Sequence, residues 1–170
     1  EASGSFARSY LLDEPIRVFG NADPERTDML MEYFVPSEQF AAFVEAAREI
    51  LANDAEELLN VTIRSVSKDQ DTALPYAKTD SFGFVMLFNV ERSAEGSASL
   101  KDRANRLIEA ALALGGSFYL PYWSYATPEQ LLRAYPEFPE FVREKRRVDP
   151  GQLFLNGFFD HYVKAVDATE

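Results

Sequence analysis

The hydrophobic positions along the chain alternate between a strand-like and a helix-like period. Residues 28–35 (DMLMEYFV) are apolar, aromatic or β-branched with one charge, Glu32, in the middle, and Pro36 ends the run, so they predict a first strand. The segment after Ser37 predicts an amphipathic helix, because its apolar residues recur at helical spacing. These residues are Phe40, Phe43, Val44, Ala47 and Leu51.

Two further strands follow this helix. Residues 58–66 (LLNVTIRSV) alternate between apolar and polar side chains, which predicts a strand with one dry and one polar face. The polar face carries Asn60, Thr62 and Arg64. After a long loop, residues 82–90 (FGFVMLFNV) are apolar on both faces and predict a central strand.

The second half of the chain begins with the clearest helical pattern. Ser99 and Asp102 resemble a capping box that opens this helix, and the glycine pair at 115–116 ends it. Residues 117–122 (SFYLPY) predict a fourth strand at a sheet edge, because Pro121 has no N–H to donate to a neighbouring strand. A tail of short helices follows, at 128–135, at 139–147 and around 152–162.

The order of these elements is β-α-β-β-α-β followed by a helical tail, which matches the ferredoxin-like split βαβ arrangement. We therefore expect an α+β fold whose antiparallel four-stranded sheet has both helices on one face. In that topology Asn60, Thr62 and Arg64 share the open face with Glu32, provided that the helices cover the other side of the second strand.

The open face of this predicted sheet should be partly apolar. Leu30 and Phe34 point to it together with alternate residues of 82–90, and such a patch of several hundred Å² is usually covered by a partner. We expect a second domain or a second subunit to cover it, so a homodimer through this face is one possible arrangement.

Composition narrows the possible functions. The chain has 170 residues, 46% of them hydrophobic, enough for one domain with a sizeable core, and its net charge of −11 disfavours nucleic acid. It has no cysteine and one histidine, which excludes thiolate nucleophiles and multi-histidine metal sites. No apolar run approaches the ~18 residues that span a bilayer, so no membrane contact is expected.

The eight glycines are too scattered to form a dinucleotide-binding fingerprint or a phosphate-binding loop. The sequence begins at Glu1 instead of a methionine, and residues 1–27 show no clear period. We interpret residues 1–27 as a connector and the chain as a fragment of a longer polypeptide.

Four strings, taken in order, resemble a known family. They are DMLMEYFVP, LLNVTIRSV followed by DTALPYA, GGSFYLPY followed by ATPEQLLRAYP, and FVREKRRVDPGQLFLNGFFDHY. Together they resemble the C-terminal half of FAD-linked oxidases of the vanillyl-alcohol oxidase class, and within it the aldonolactone and alditol oxidases. The resemblance covers roughly residues 28–162.

This resemblance implies that residues 28–170 form a substrate, or cap, domain with the helical tail included. FAD would be bound mainly by an N-terminal domain of the same polypeptide, which precedes the connector. The whole enzyme would be an oxidoreductase that oxidises an alcohol or sugar-like small molecule by hydride transfer to flavin. Separately from the resemblance, we expect a cytoplasmic location. The fragment by itself would be inactive.

The resemblance also implies candidate site residues, although it carries over only in part. Relatives have a Glu-x-Arg pair on the second strand, where this chain has Thr62 and Arg64, so Glu32 is the candidate replacement for the missing carboxylate. The glycine-pair motif of the relatives places Tyr119 at a histidine and Tyr122 at a lysine. We expect Arg64 and Glu32 to be catalytic and Thr62, Asn60, Tyr119 and Tyr122 to bind substrate.

Two simpler interpretations stay open at this point. One is that Arg64 forms only a structural ion pair, with Glu32 or with Asp71. The other is that the chain is a stand-alone ferredoxin-like module that dimerises through its open sheet face and binds a small ligand or a partner.

Overall fold

The computed structural model describes residues 21–52 and 57–167. Four strands and five helices are described in this part of the chain, and the 3-10 turn Ser37–Gln39 lies between β1 and α1. The strands are β1 (Arg26–Pro36), β2 (Leu58–Val66), β3 (Ser81–Glu91) and β4 (Ser117–Phe118). The helices are α1 (Phe40–Leu51), α2 (Ala94–Ala113), α3 (Pro128–Ala134), α4 (Phe138–Val148) and α5 (Gly157–Asp167).

The four strands form one antiparallel sheet in the order β2-β3-β1-β4. The first and third strands are central neighbours because the hairpin from β2 to β3 returns the chain beside β1. This order, with a helix after β1 and another after β3, confirms the expected ferredoxin-like α+β fold.

Both helices of the βαββαβ unit pack on the same face of the sheet. Tyr33 pairs with Phe84 across β1 and β3, so both side chains lie on one face, and Phe88 lies on it as well. Phe43 of α1 contacts Phe84 with ring centroids 4.8 Å apart, and Arg103 of α2 lies over the Phe88 ring at 5.4 Å. The opposite face is therefore the open one.

The second helix begins five residues before the capping box that the sequence suggested. Its N-cap is Ser93, which accepts a hydrogen bond from the Gly96 backbone N–H at 3.0 Å. A Cβ at Gly96 would lie 2.4 Å from the Glu91 carbonyl oxygen, so only glycine allows this close turn after β3. The prediction that Ser99 begins this helix was therefore wrong, because the N-cap is Ser93.

The fourth strand is much shorter than the predicted 117–122. It pairs only through Phe34 with Ser117 and Tyr33 with Phe118. The Tyr119 N–H still donates to the Glu32 carbonyl oxygen at 2.9 Å, after which the chain leaves the sheet before Pro121.

The first strand begins earlier than the sequence predicted. Arg26 and Thr27 fall in the predicted connector, but they are the first residues of β1. The rest of the predicted connector up to residue 20 lies outside the described part of the chain.

The helical tail is part of the same hydrophobic core as the sheet and helices. The Tyr135 hydroxyl donates to the Phe118 carbonyl oxygen, and the Tyr162 hydroxyl donates to the Ala126 carbonyl oxygen at 3.1 Å. The side chains that the tail contributes to this core are Leu131, Ala134, Tyr135, Phe138, Val142, Phe159 and Tyr162. The tail is thereby fixed beside α2 and the β4 edge.

Across the described ranges, no helix has both the length and the apolar character that crossing a bilayer requires.

Candidate functional site

The open face brings together the polar residues that the sequence placed there. Glu32 of β1 and Thr62 of β2 both pair with Val85 of β3, so the three side chains lie in one row across the sheet. Arg64 lies in the next row, opposite Gly83. The strand register therefore confirms that Asn60, Thr62, Arg64 and Glu32 share one face.

Glu32 and Arg64 form an ion pair across the sheet. The Arg64 Nε donates to Glu32 Oε1 at 3.1 Å, and Nη2 donates to the same oxygen. The Glu32 side chain has no exposed surface, whereas the Arg64 side chain is 55% exposed. The hydrogen bond to the carboxylate raises the pKa of Arg64 above its ordinary value, so the guanidinium stays charged.

Gly83 provides the space for this pair in the middle of β3. A Cβ at this position would lie 3.3 Å from Glu32 Oε1 and 3.2 Å from Cε1 of Phe34. Both distances are tighter than ordinary van der Waals contact. The glycine thus allows a buried carboxylate and an aromatic ring to lie side by side on the open face.

The second carboxylate oxygen, Glu32 Oε2, is buried and accepts no hydrogen bond from any described residue. Leaving a buried charged acceptor unpaired costs more than the ~1–3 kcal/mol of a neutral one, so such atoms are rare and need an explanation. Because binding and catalysis need polar atoms with free bonding capacity, this oxygen is the strongest candidate for contact with a ligand.

Three tyrosines lie next to the ion pair. The rings of Tyr119 and Tyr122 meet edge to face at 4.8 Å, and Tyr76, from the loop between β2 and β3, meets Tyr119 at 5.8 Å. Burial, and to a lesser extent the charge of Glu32, raises the pKa of the Tyr122 hydroxyl. This hydroxyl is therefore a neutral hydrogen-bond donor at physiological pH.

The loop between β2 and β3 also covers part of the open face. The Tyr76 ring lies over Phe34 with centroids 4.5 Å apart, and Phe34 is only 1% exposed. The expectation that Phe34 belongs to an exposed patch was therefore wrong, because this loop returns over the sheet. Leu30, Val85 and Leu87 on the same face are half-buried.

Asn60 and Thr62 lie at the outer edge of the site, on the edge strand β2. The Asn60 Nδ2 donates to Thr62 Oγ1 at 3.1 Å, and the Thr62 side chain is exposed. Their short polar side chains border the Arg64 guanidinium along the strand, without a hydrogen bond to it among the contacts of the described residues.

A large cleft lies beside the ion pair. Tyr119 and Tyr122, which neighbour the ion pair, also line this cleft. The cleft has a volume of about 960 Å³ and lies between the β2–β3 loop, the segment after β4 and the tail helices. Sequence reasoning missed other aromatic walls of this cleft, among them Tyr76 and Tyr125. The density of aromatic residues in FYLPYWSY, residues 118–125, was the signal that could have found them.

Within the described part of the chain no group of side chains could hold a metal ion, and the basic stretch of α4 is already paired. Among the described residues no three His, Asp or Glu side chains come together as metal ligands, and His161 is exposed beside the Tyr162 ring at 4.7 Å. The basic stretch of α4 is used in ion pairs: Arg143 with Glu140, Lys145 with Asp149, Arg146 with Asp167 and Arg147 with Glu144.

The geometry of the open face thus joins a buried carboxylate, an arginine and a group of tyrosines at the edge of a cleft. Comparison with protein-family models and with curated proteins finds no match to this chain. The resemblance to FAD-linked oxidases therefore stays a hypothesis based on the four strings of sequence.

Proposed function

We propose that this chain is the substrate domain of an FAD-dependent oxidoreductase that oxidises an alcohol or sugar-like substrate by hydride transfer to flavin. One observation carries the proposal. Glu32 is a fully buried carboxylate on the open sheet face, bonded through one oxygen to Arg64 and with its other oxygen unpartnered among the described residues.

Oxidation of an alcohol requires removal of the hydroxyl proton and stabilisation of negative charge on the oxygen, and the Glu32–Arg64 pair can do both. Glu32 Oε2 can accept the hydroxyl proton, because Arg64 holds the other oxygen and so fixes the orientation of the carboxylate. Arg64 is half-exposed and stays charged, so it can stabilise negative charge that develops on the substrate oxygen. The flavin, when bound, supplies the hydride acceptor.

The tyrosines would position the substrate beside this pair. The Tyr122 hydroxyl, whose pKa burial raises further above neutral pH, can donate a hydrogen bond to a substrate oxygen, and the Tyr119 ring packs edge to face against the Tyr122 ring. Glu32 Oε2 is buried, so a substrate can reach it only when a neighbouring side chain moves. Tyr122, at 37% exposure, has the space to do so. Thr62 and Asn60 would contact the substrate from the β2 side.

The described residues are better suited to contact the substrate and the flavin ring than to bind the pyrophosphate of FAD. The half-buried apolar residues of the open face, Leu30, Val85 and Leu87, would contact the flavin ring. The basic side chains of α4 are used in ion pairs, and the described part of the chain has no glycine-rich loop to bind a pyrophosphate. An N-terminal FAD-binding domain of the same polypeptide, in the cytoplasm, would supply that part.

The alternative, a stand-alone module that dimerises through the open face, has less support. The centre of that face is a charged pair, and Tyr76 already covers Phe34, which would otherwise anchor a dry interface. The coding sequence separates the two functions. A flavin-binding domain encoded directly upstream supports the proposal, and a start codon just before residue 1 contradicts it.

The decisive experiment measures flavin reduction in single turnovers of the complete polypeptide with a panel of alcohols and sugars. We expect Arg64→Ala and Glu32→Gln to slow reduction at saturating substrate by about 100-fold or more, the range of a lost general base or charge stabiliser. Arg48→Ala is the matched control, because Arg48 forms an exposed ion pair on α1 and should leave the rate unchanged.

Two results would contradict the proposal. One is a visible spectrum of the complete polypeptide without bound flavin. The other is an Arg64→Ala variant that reduces flavin as fast as the wild type over the whole panel. Because Arg64→Ala and Glu32→Gln both remove the ion pair, circular dichroism of each variant checks that a loss of activity does not come from misfolding.

A further inference from the structure

The large cleft beside the ion pair differs in charge from the rest of the molecule. The chain carries a net charge of −11, yet none of the described residues that line the cleft is an aspartate, glutamate, lysine or arginine, and the His161 imidazole is the one basic group among them. A charged ligand would lose its hydration among these walls without meeting a carboxylate, an ammonium or a guanidinium group. The cleft is therefore suited to a neutral ligand.

The walls of the cleft combine aromatic faces with hydroxyl groups. Trp123 is 49% exposed, and its ring plane lies within 14° of the Tyr125 ring at 6.0 Å between centroids. Tyr122 and Tyr76 add further rings from two different segments. The C–H groups of a sugar ring carry partial positive charge, so they pack favourably on the negative faces of such rings.

Polar groups occur among these rings at several points of the cleft. Burial raises the pKa of the Tyr125 hydroxyl, which therefore stays protonated and can both donate and accept a hydrogen bond. Asn156 and Ser124 add an amide and a second kind of hydroxyl on other sides. This mixture matches a ligand that is rich in hydroxyl groups around apolar ring faces.

The volume of the cleft indicates a ligand of several rings. About 960 Å³ lies at the upper end of the range of about 300–1,000 Å³ for small-molecule sites. The cleft also shares Tyr119 and Tyr122 with the Glu32 site, so a ligand that fills it can place one end beside Glu32.

We infer that this aromatic cleft binds a neutral oligosaccharide, by stacking of sugar rings on Trp123, Tyr122 and Tyr76. The inference deepens the proposed function and rests on it in one respect, namely that the terminal hydroxyl of the bound sugar is the group oxidised beside Glu32. The binding itself requires only the residues of this chain.

Trp123 is the only tryptophan of the chain, so its fluorescence reports directly on the cleft. The experiment titrates the chain with maltotetraose, cellotetraose and xylotetraose, and with tetragalacturonate as the charged counterpart. We expect a saturable change in Trp123 fluorescence with at least one neutral tetrasaccharide, and at least tenfold weaker binding of tetragalacturonate.

Two variants localise the binding. Trp123→Ala, followed by calorimetry, should weaken binding of the same tetrasaccharide at least tenfold, and Tyr122→Ala should do so in the fluorescence titration. Phe154→Ala is the matched control, because Phe154 is 81% exposed and lies outside the cleft. Both cleft positions are partly exposed, so these variants should retain the fold, which circular dichroism checks.

Absence of binding by every neutral tetrasaccharide up to about 10 mM, a free energy of only about −3 kcal/mol, would overturn the inference. Equal binding of tetragalacturonate, or binding that Trp123→Ala and Tyr122→Ala leave unchanged, would overturn it as well. Failure of the proposed function looks different: the tetrasaccharide binds the chain normally, but the complete polypeptide does not oxidise it.

Discussion

The ion pair between Arg64 and Glu32 is the central polar contact of the open sheet face. Glu32 is conspicuous in the sequence as a charge inside an apolar strand, and Arg64 occupies the polar face of an alternating one. The sequence left two acids, Glu32 and Asp71, as possible partners of Arg64. The structure shows that the partner is Glu32. The strand β3 lies between β1 and β2, and its Gly83 has no side chain to separate Arg64 from Glu32.

Asp149 allows a pH-dependent test at the scale of one residue. Its carboxylate binds Lys145 and accepts hydrogen bonds from the backbone N–H groups of Leu153 and Phe154, at 2.9 and 3.0 Å. These contacts lower the pKa of Asp149 from 3.8 to about 2. Because the folded pKa lies below the unfolded one, the ionised group stabilises the fold above about pH 4, and this contribution is lost as the pH falls toward 2.

We expect Asp149→Asn to be less stable than the wild type at pH 7, with a difference that shrinks between about pH 4 and pH 2. Urea unfolding of both proteins over this range measures it, and a carbonyl-carbon NMR titration gives the Asp149 pKa directly. A stability difference that stays constant from pH 5 to pH 2 would contradict the assignment of these contacts to the charged form.

At the scale of elements, hydrophobic periodicity predicted whether a segment is a helix or a strand better than it predicted the length of that segment. β2 was predicted with its observed bounds, because alternation and flanking polar residues define both ends of the strand. β4 was predicted four residues too long, since its sequence stays aromatic and apolar after the chain has left the sheet. Those later residues include Tyr119 and Tyr122, which the resemblance had suggested as substrate-binding residues and which line the cleft.

The junction between α2 and β4 depends on two adjacent glycines in different ways. Gly115 has a φ of +75°, in the left-handed region, and the nearest atom to an added Cβ is Pro36 Cγ at 3.9 Å. Gly116 has ordinary φ, but a Cβ there would lie 2.2 Å from the Phe34 carbonyl oxygen and 2.9 Å from that of Ala111. Glycine is needed at position 115 because the backbone is left-handed there, and at position 116 because a side chain would collide with two backbone carbonyl oxygens.

We therefore expect Gly115→Ala to lower the free energy of unfolding by about 1–2 kcal/mol, the cost of a left-handed alanine. Gly116→Ala should cost more, about 3 kcal/mol or above, because backbone atoms on both sides cannot yield. Urea unfolding of the two variants provides the comparison. Equal losses, or a larger loss for Gly115→Ala, would show that α2 and β4 can separate without cost.

At the scale of the whole molecule, the tail and the ferredoxin-like unit form one core. Tyr135, Phe138 and Tyr162 are almost completely buried, and two tail hydroxyls bond backbone carbonyls of the segment 118–126. A buried side chain of this size contributes about 1.5–3 kcal/mol, whereas an ordinary domain is stable by about 5–15 kcal/mol in total. The tail therefore supplies a large part of the net stability.

A chain that ends at Ala126 should consequently fail to fold cooperatively. We expect it to lose near-ultraviolet circular dichroism and a sharp thermal transition, since α2 and β4 would expose the apolar surface that α3 to α5 cover. Phe154→Ala in the complete chain is the control, because this exposed tail aromatic should leave the transition in place. A truncated chain that unfolds as sharply as the full one would contradict a shared core.

The sequence by itself determined which segments are strands and helices, how they order into a ferredoxin-like sheet and which strand faces are polar. Local periodicity and turn residues encode these properties, so they can be read without knowledge of distant contacts. The tertiary structure decided that Arg64 pairs with Glu32, that Tyr76 covers Phe34 and that the segment after β4 lines a cleft with the tail. Each of these contacts joins residues far apart in the chain, and their geometry follows from packing of the whole core.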